Sequence, residues 1–237
     1  DQAYDYCEAV REKDMSRGDG IKRNPEKVGL LMRSYARNLA TQASLETIAA
    51  DMQANEPKKM DTDTVSSYIS ALAKLFVVEE SKAWNPNLRS KTAIRTSNTR
   101  YYTDPSIGTA SLSIGPKDLE NDLNTFGYFF ETLAIRDLRT YAEALMGEVA
   151  HYRDADKLEC DAVVHLRDGR YGLIEIKLGG EALIKEGVKS LTALKNKLDT
   201  TKMNKPSFLM VLTGVGSIAY RRPEDGIYVV PIGCLKP

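Results

Sequence analysis

Residues 158–178, LECDAVVHLRDGRYGLIEIKL, decide how this chain of 237 residues is read. Apolar residues alternate on both sides of Arg167-Asp168-Gly169-Arg170, and an Asp-Gly step between alternating runs is a hairpin signal. Side chains two apart on a strand share a face. Asp161, Val163 and His165 therefore line up on the first strand, and Leu173, Glu175 and Lys177 on the second. Charges interrupt strands that are otherwise apolar. A carboxylate such as Glu175, set among Leu173, Ile174, Ile176 and Leu178, needs a partner or a cation, because burying it alone is costly enough to shift its protonation.

Upstream of the hairpin, helical spacing of Phe126, Phe130, Leu133, Ala134, Leu138 and Tyr141 predicts a long helix from about 119 or 127 to 145, with Glu131 in its apolar first half. A strand is expected over 148–152. Downstream, a helix is expected over 181–198 with Lys185, Lys189, Lys195 and Lys197 on exposed positions. The apolar run 207–213 suits a buried strand, and 217–220 and 227–231 read as late strands. This α-β-β-β-α-β order implies helices covering a mixed sheet. Lys177 is the obvious neighbour of Glu175. With Asp161 from the first strand and Glu131 from the covering helix, three carboxylates and one ammonium could converge at one sheet edge. Such oxygen ligands suit Mg²⁺ or Mn²⁺, which acidify a bound water and neutralise charge on a phosphodiester, with Lys177 as electrostatic catalyst.

The first 24 residues read as a polar linker with a short helix. Over 25–103 the order is helix from Pro25, short helix after Ser44, a break at 55–59, a helix after Asp61 and Asp63, and a strand at Phe76-Val77-Val78. That is the order of a winged helix-turn-helix, which implies either DNA docking by the third helix or a helical packing and protein-contact module. The third helix carries Asp61, Asp63 and only Lys74, a poor complement to phosphate. Residues 81–103 carry Lys82, Arg89, Lys91, Arg95 and Arg100 without one acid, interleaved with Trp84, Tyr101 and Tyr102. Such a strip could follow a phosphate backbone, pair with an acidic partner, or be a solvated face, and Trp84 reads as a packing anchor.

Composition narrows the classes. The 33 basic and 33 acidic residues cancel, so any nucleic-acid surface has to be local. Cys7, Cys160 and Cys234 lie far apart without CxxC or His spacing, which argues against a disulfide framework or structural zinc and fits a reducing cytoplasm. No apolar run could span a bilayer, so no membrane partner is expected, and an opening without Met on a charged, helix-like stretch points to a fragment.

Glu131, Asp161 and Glu175-Ile176-Lys177 resemble the helix-Glu, strand-Asp and Glu-x-Lys signature of the PD-(D/E)XK nuclease superfamily, with spacing similar to that of archaeal Holliday junction resolvases. Cys160 stands where the superfamily's name has Pro. More specifically, Thr64-Val65, Tyr68-Ile69-Ser70-Ala71-Leu72, Trp84-Asn85-Pro86, Leu88-Arg89-Ser90-Lys91, Asp104-Pro105-Ser106, Gly127, Phe130-Glu131, Arg136-Asp137-Leu138 and 175–179 resemble the C-terminal region of a prokaryotic AAA-type ATPase family, a domain of unknown function. The resemblance covers nearly the whole chain. It implies an α/β (α+β) architecture: a winged-helix-like domain over 25–103, then a restriction-endonuclease-like mixed sheet flanked by helices over 104–237. It also implies an ATPase domain upstream in the same polypeptide. No GxxxxGK[ST] occurs here, so ATP would be bound only by that absent domain.

The expected activity is Mg²⁺-dependent hydrolysis of DNA by Asp161, Glu175, Glu131 and Lys177, with a homodimer as a further expectation. The competing reading is a non-catalytic module that binds DNA or a protein and regulates the ATPase. Each site residue also has a plain structural reading. Glu175 and Lys177 can be an ordinary ion pair, Asp161 can pair with Arg170 or Arg153, and Glu131 can satisfy backbone; His151 and His165 read as structural.

Overall fold

The computed structural model describes residues 2–17, 20–53, 61–86 and 97–236. Among them the chain is mixed α/β, with a two-stranded sheet and a six-stranded sheet. It divides into two compact units, Asp1–Glu80 with Thr99–Thr132, and Ser81–Asn98 with Leu133–Pro237. The division falls inside the long helix, whereas the resemblance implies a boundary at 103/104.

The first unit is mainly helical. Helix α1 (Gln2–Ala9) runs through a π turn at Val10–Asp14 into Met15–Arg17. The short helix expected within the 1–24 linker thus extends over Gln2–Arg17, and it buries Cys7, Val10 and Met15 in the core. A π turn brings residues five apart toward one side, which is how Val10 and Met15 both face inward. Helix α2 (Pro25–Arg37) starts on Asn24, whose Oδ1 accepts from Glu26 N at 2.8 Å, and packs Val28, Leu31, Met32 and Tyr35. Each such burial is worth roughly 1.5–3 kcal/mol. Helix α3 (Leu45–Gln53) is capped by Ser44, whose Oγ accepts from Thr47 N at 3.2 Å. Helix α4 (Thr62–Lys74) is capped by Asp61. The expected break at 55–59 lies outside the described residues.

Strands β1 (Val78–Ser81) and β2 (Thr99–Tyr102) form the two-stranded sheet. The strand expected at Phe76 starts two residues later, because Phe76 closes α4 in a left-handed turn at φ 55° and is 80 % exposed. Helices α5 (Pro105–Leu112) and α6 (Pro116–Asn121) lead into α7 (Leu123–Ala144), whose Phe129 completes this core.

The second unit holds the six-stranded sheet: β3 (Gly147–Arg153), β4 (Glu159–Leu166), β5 (Tyr171–Lys177), β6 (Phe208–Thr213), β7 (Tyr220–Arg221) and β8 (Tyr228–Pro231), in the order β3-β4-β5-β6-β8-β7. The β3-β4-β5 part is antiparallel, β5-β6-β8 is parallel, and β7 returns antiparallel to β8. A mixed sheet is what the element order predicted. The 217–220 strand shrinks to Tyr220–Arg221. The hairpin turn is closed by Leu166 N to Arg170 O at 2.8 Å, with Gly169 at φ 85° and Asp168 Oδ1 accepting from Arg170 N.

Helix α8 (Glu181–Lys197) crosses from β5 to the parallel β6 and packs Leu191 and Leu194 against Val163, Leu173 and Val211. Trp84 belongs to this core, its ring 5.1 Å from that of Tyr171 and 6.2 Å from that of Tyr152. No helix among the described residues is long and apolar enough to cross a membrane.

Candidate functional site

The β4–β5 ladder is registered as Val163 to Leu173 and Ala162 to Ile174. Asp161 and Glu175 lie one position beyond that last pair. There a side chain replaces the ladder: Asp161 Oδ2 accepts from Ile176 N at 2.7 Å. Lys177 Nζ stands 2.9 Å from Glu175 Oε2 and 3.7 Å from Asp161 Oδ2. The side chains of Asp161 and Lys177 keep 18 % and 22 % of their exposure, and that of Glu175 only 4 %. The alternative partners are taken elsewhere, since Arg153 pairs with Glu159 and Arg170 with Asp168.

The electrostatics follow from this crowding. Burial, and then the nearby Asp161 charge, push the Glu175 carboxyl up to about 8 against the pull of Lys177. Burial also raises Asp161, opposed by Lys177 and by the Ile176 N–H. Cys160 beside them is buried, its thiol donating to Ala162 O and Ile174 O, and burial followed by the Glu175 and Asp161 charges raises it well above the usual thiol range. It is therefore a neutral packing group, not a ligand.

Two glycines let this arrangement form. Gly187 brings α8 close over the strand, where a Cβ would sit 3.2 Å from Val211 Cγ2 and 3.3 Å from Glu175 Cβ. Gly179, at φ 131°, turns the chain from β5 toward α8. Spacing of charges did not single out Gly187. The available signal was a glycine in the middle of a helical pattern, which is unfavourable by about 1 kcal/mol against Ala unless packing requires it.

The other expected residues fall as follows. Glu131 lies in the helical unit, where its Oε1 accepts from the Tyr101 hydroxyl at 2.6 Å. Among the described residues no group of three or more His, Cys, Asp or Glu is placed to hold a metal ion. Of the basic strip, Lys82 is exposed, and Arg89, Lys91 and Arg95 lie outside the described residues. Arg100 is buried, donating from Nε to Ala43 O and from Nη1 to Glu80 Oε1, both at 2.8 Å. His151 is buried against Ser81 O, with burial lowering its pKa, and His165 stacks on Tyr171.

Two family models match the chain. Residues 1–118 match a domain of unknown function (DUF8612), and residues 126–235 match another domain of unknown function (DUF4143). No curated protein matches it. The junction between the matches, 118 to 126, falls at the start of α7.

Proposed function

We propose that the sheet unit is a nuclease-like module of the PD-(D/E)XK kind, carried by a AAA-type ATPase polypeptide and preceded by a winged-helix arrangement over α2 to β2. Its chemistry is Mg²⁺- or Mn²⁺-dependent phosphodiester hydrolysis of DNA. The observation that carries this reading is the meeting of Asp161 and Glu175 around Lys177 at the end of the β4–β5 ladder. Lys177 is the cation that bears on both carboxyl groups among the described residues, and both are pushed upward by burial. Once Glu175 ionises, two anions share one ammonium, which leaves a demand for further positive charge.

The donor set fits a hard cation, because Mg²⁺ commonly rests on one or two carboxylates and keeps waters and phosphate oxygens for its remaining positions. Asp161 and Glu175 would hold it. When bound, such an ion supplies an acidified water and neutralises charge at the scissile phosphate. Lys177 would stabilise the charge developing on that phosphate. Residues 126–235 support the wider reading, since DUF4143 is often found with AAA ATPases. The reading implies a cytoplasmic protein, with ATP handled by the upstream domain.

Incubation with branched, nicked and single-stranded DNA in Mn²⁺ tests the proposal. The expected result is cleavage that Glu175→Ala abolishes, together with a rise in Tm on adding Mn²⁺ that Asp161→Asn removes. Absence of both overturns it. The second reading is a non-catalytic module that binds DNA or a protein and regulates the ATPase. It is favoured by Glu131, whose carboxylate takes up the Tyr101 hydroxyl. Its signature would be salt-dependent DNA binding without products, or, for a protein-contact role, no DNA binding.

A further inference from the structure

At the far end of the β5–β6 pair from Lys177, a cleft of about 540 Å³ opens between the last turn of α8, the start of β6 and the β7–β8 hairpin. Five residues of strand separate the Gly172–Phe208 pair from the Lys177–Thr213 pair. At ~3.3 Å per residue, the cleft lies roughly 16 Å along the strands from the Lys177 pair and roughly 10 Å from the level of Glu175. Lys195, Lys205 and Arg221 line it. Among the described residues none of these cations has a carboxylate partner, although the chain as a whole is neutral.

The acid on the cleft wall is Asp225, which shares the Arg222 guanidinium with Glu224. Arg222 Nε donates to both of its oxygens, at 3.0 and 3.2 Å, and Ile227 N donates to Oδ1. Tyr228, 40 % exposed, supplies an aromatic surface with the Arg221 guanidinium 5.6 Å from its ring centroid. Ser207 lies on the same wall. Cations without counter-charge beside a half-exposed ring are the chemistry of phosphate recognition joined to base stacking.

We propose that this cleft binds the phosphates of a nucleotide, free or within a single strand, with Lys195, Lys205 and Arg221 on the phosphates and Tyr228 on the base. The site is separate from the carboxylates and needs no divalent ion. Its test is therefore run in EDTA, so that its failure and that of the hydrolase reading are distinguishable.

The probes are fluorescently labelled oligothymidylate, ATP and inorganic pyrophosphate, titrated into the whole chain at low salt. Oligothymidylate or ATP is expected to bind, and Lys195→Gln with Lys205→Gln to weaken that binding at least about tenfold. Each substitution should also lower the slope of log K against log salt by about 0.7 for a strand. Both lysines are exposed, so the double variant should fold as the parent does. Lys185→Ala, which removes a lysine paired with Glu181 at the other end of α8, should change nothing. Tyr228→Leu should weaken oligothymidylate or ATP more than pyrophosphate. No binding of any probe, or binding within twofold of the parent in the double variant, overturns the site. Equal binding of pyrophosphate and nucleotide, unaffected by Tyr228→Leu, overturns the nucleotide assignment.

Discussion

Arg100 in the helical unit and Glu175 in the sheet unit are both buried charges, and they differ in how their neighbours count. Arg100 meets one carboxylate, that of Glu80, gives its Nε to a carbonyl, and lies 5.8 Å from the Tyr35 ring centroid. Glu175 shares one ammonium with Asp161. In the first case desolvation is offset by hydrogen bonds to a matched partner. In the second it is offset only in part, and the carboxyl groups respond by holding protons more tightly. The stoichiometry of charge, more than burial alone, separates a structural pair from a candidate site.

The harshest way to break this contrast is to remove the shared ammonium. Lys177→Met should destabilise the protein by about 3–5 kcal/mol near pH 9, where two carboxylates would be left without compensation. The loss should shrink near pH 6, where the Glu175 carboxyl takes a proton instead. Urea denaturation at both pH values measures it. An equal loss at the two would mean that Lys177 acts through packing alone.

Glu175→Gln comes next and changes sign with pH. The folded value, about 8, lies above the ordinary 4.5, so the stability this group contributes is present in full below 4.5 and lost as pH rises through 8. In metal-free buffer near pH 9 the variant should be the more stable by roughly 1–3 kcal/mol, discounting the full shift for the Lys177 pair. Near pH 6 the difference should vanish or reverse. Parallel stability curves would show that Glu175 does not titrate in this range.

The two regions were not equally legible. The hairpin and α8 could be read because Asp168-Gly169 and strict alternation are local signals, and they lead directly to Asp161, Glu175 and Lys177. The first 24 residues read as a polar linker with a short helix, but their burial was not legible, because Val10 and Met15 are five apart, a spacing outside the 3.6-residue period and made productive only by the π turn. Arg100 read as part of a basic strip because nothing in residues 81–103 announces Glu80 or the Ala43 carbonyl, which reach it through tertiary structure. Glu131 has the right spacing on an apolar helix, but spacing cannot say that Tyr101 takes its carboxylate. Phe76 misled because three apolar residues in a row resemble a strand start, while the chain uses the first to end a helix.

Arg100→Lys sharpens the contrast from the matched side. The lysine keeps the charge and loses the fork that serves Ala43 O and Glu80 together, so about 1–2 kcal/mol should be lost. Because the native guanidinium stays charged throughout, this loss should keep its sign between about pH 6 and about pH 9, unlike that of Glu175→Gln. A reversal across that range would place a titrating group against Arg100 and undo the distinction.

The smallest effect concerns what keeps water from Glu175. Gly187→Ala gains up to about 1 kcal/mol of helix propensity. The new Cβ also meets Val211 Cγ2 at 3.2 Å and Glu175 Cβ at 3.3 Å, closer than most side chains tolerate. The two effects oppose, and the net change should stay within about 0.5 kcal/mol of zero. In a Val211→Ala background the contacts with the two Val211 methyl groups, at 3.2 and 3.4 Å, disappear while that with Glu175 Cβ remains, so the same substitution should shift toward stabilising, a coupling readable by a double-mutant cycle. Any lifting of α8 in the single variant would admit water to Glu175 and draw its carboxyl back toward the ordinary range. That would move the pH of its stability crossover downward even where the stability itself is unchanged. Gly187→Ala without such a move, in a helix shown by crystallography to have shifted, would mean that the covering helix is not what raises Glu175, and that the Asp161 charge alone suffices.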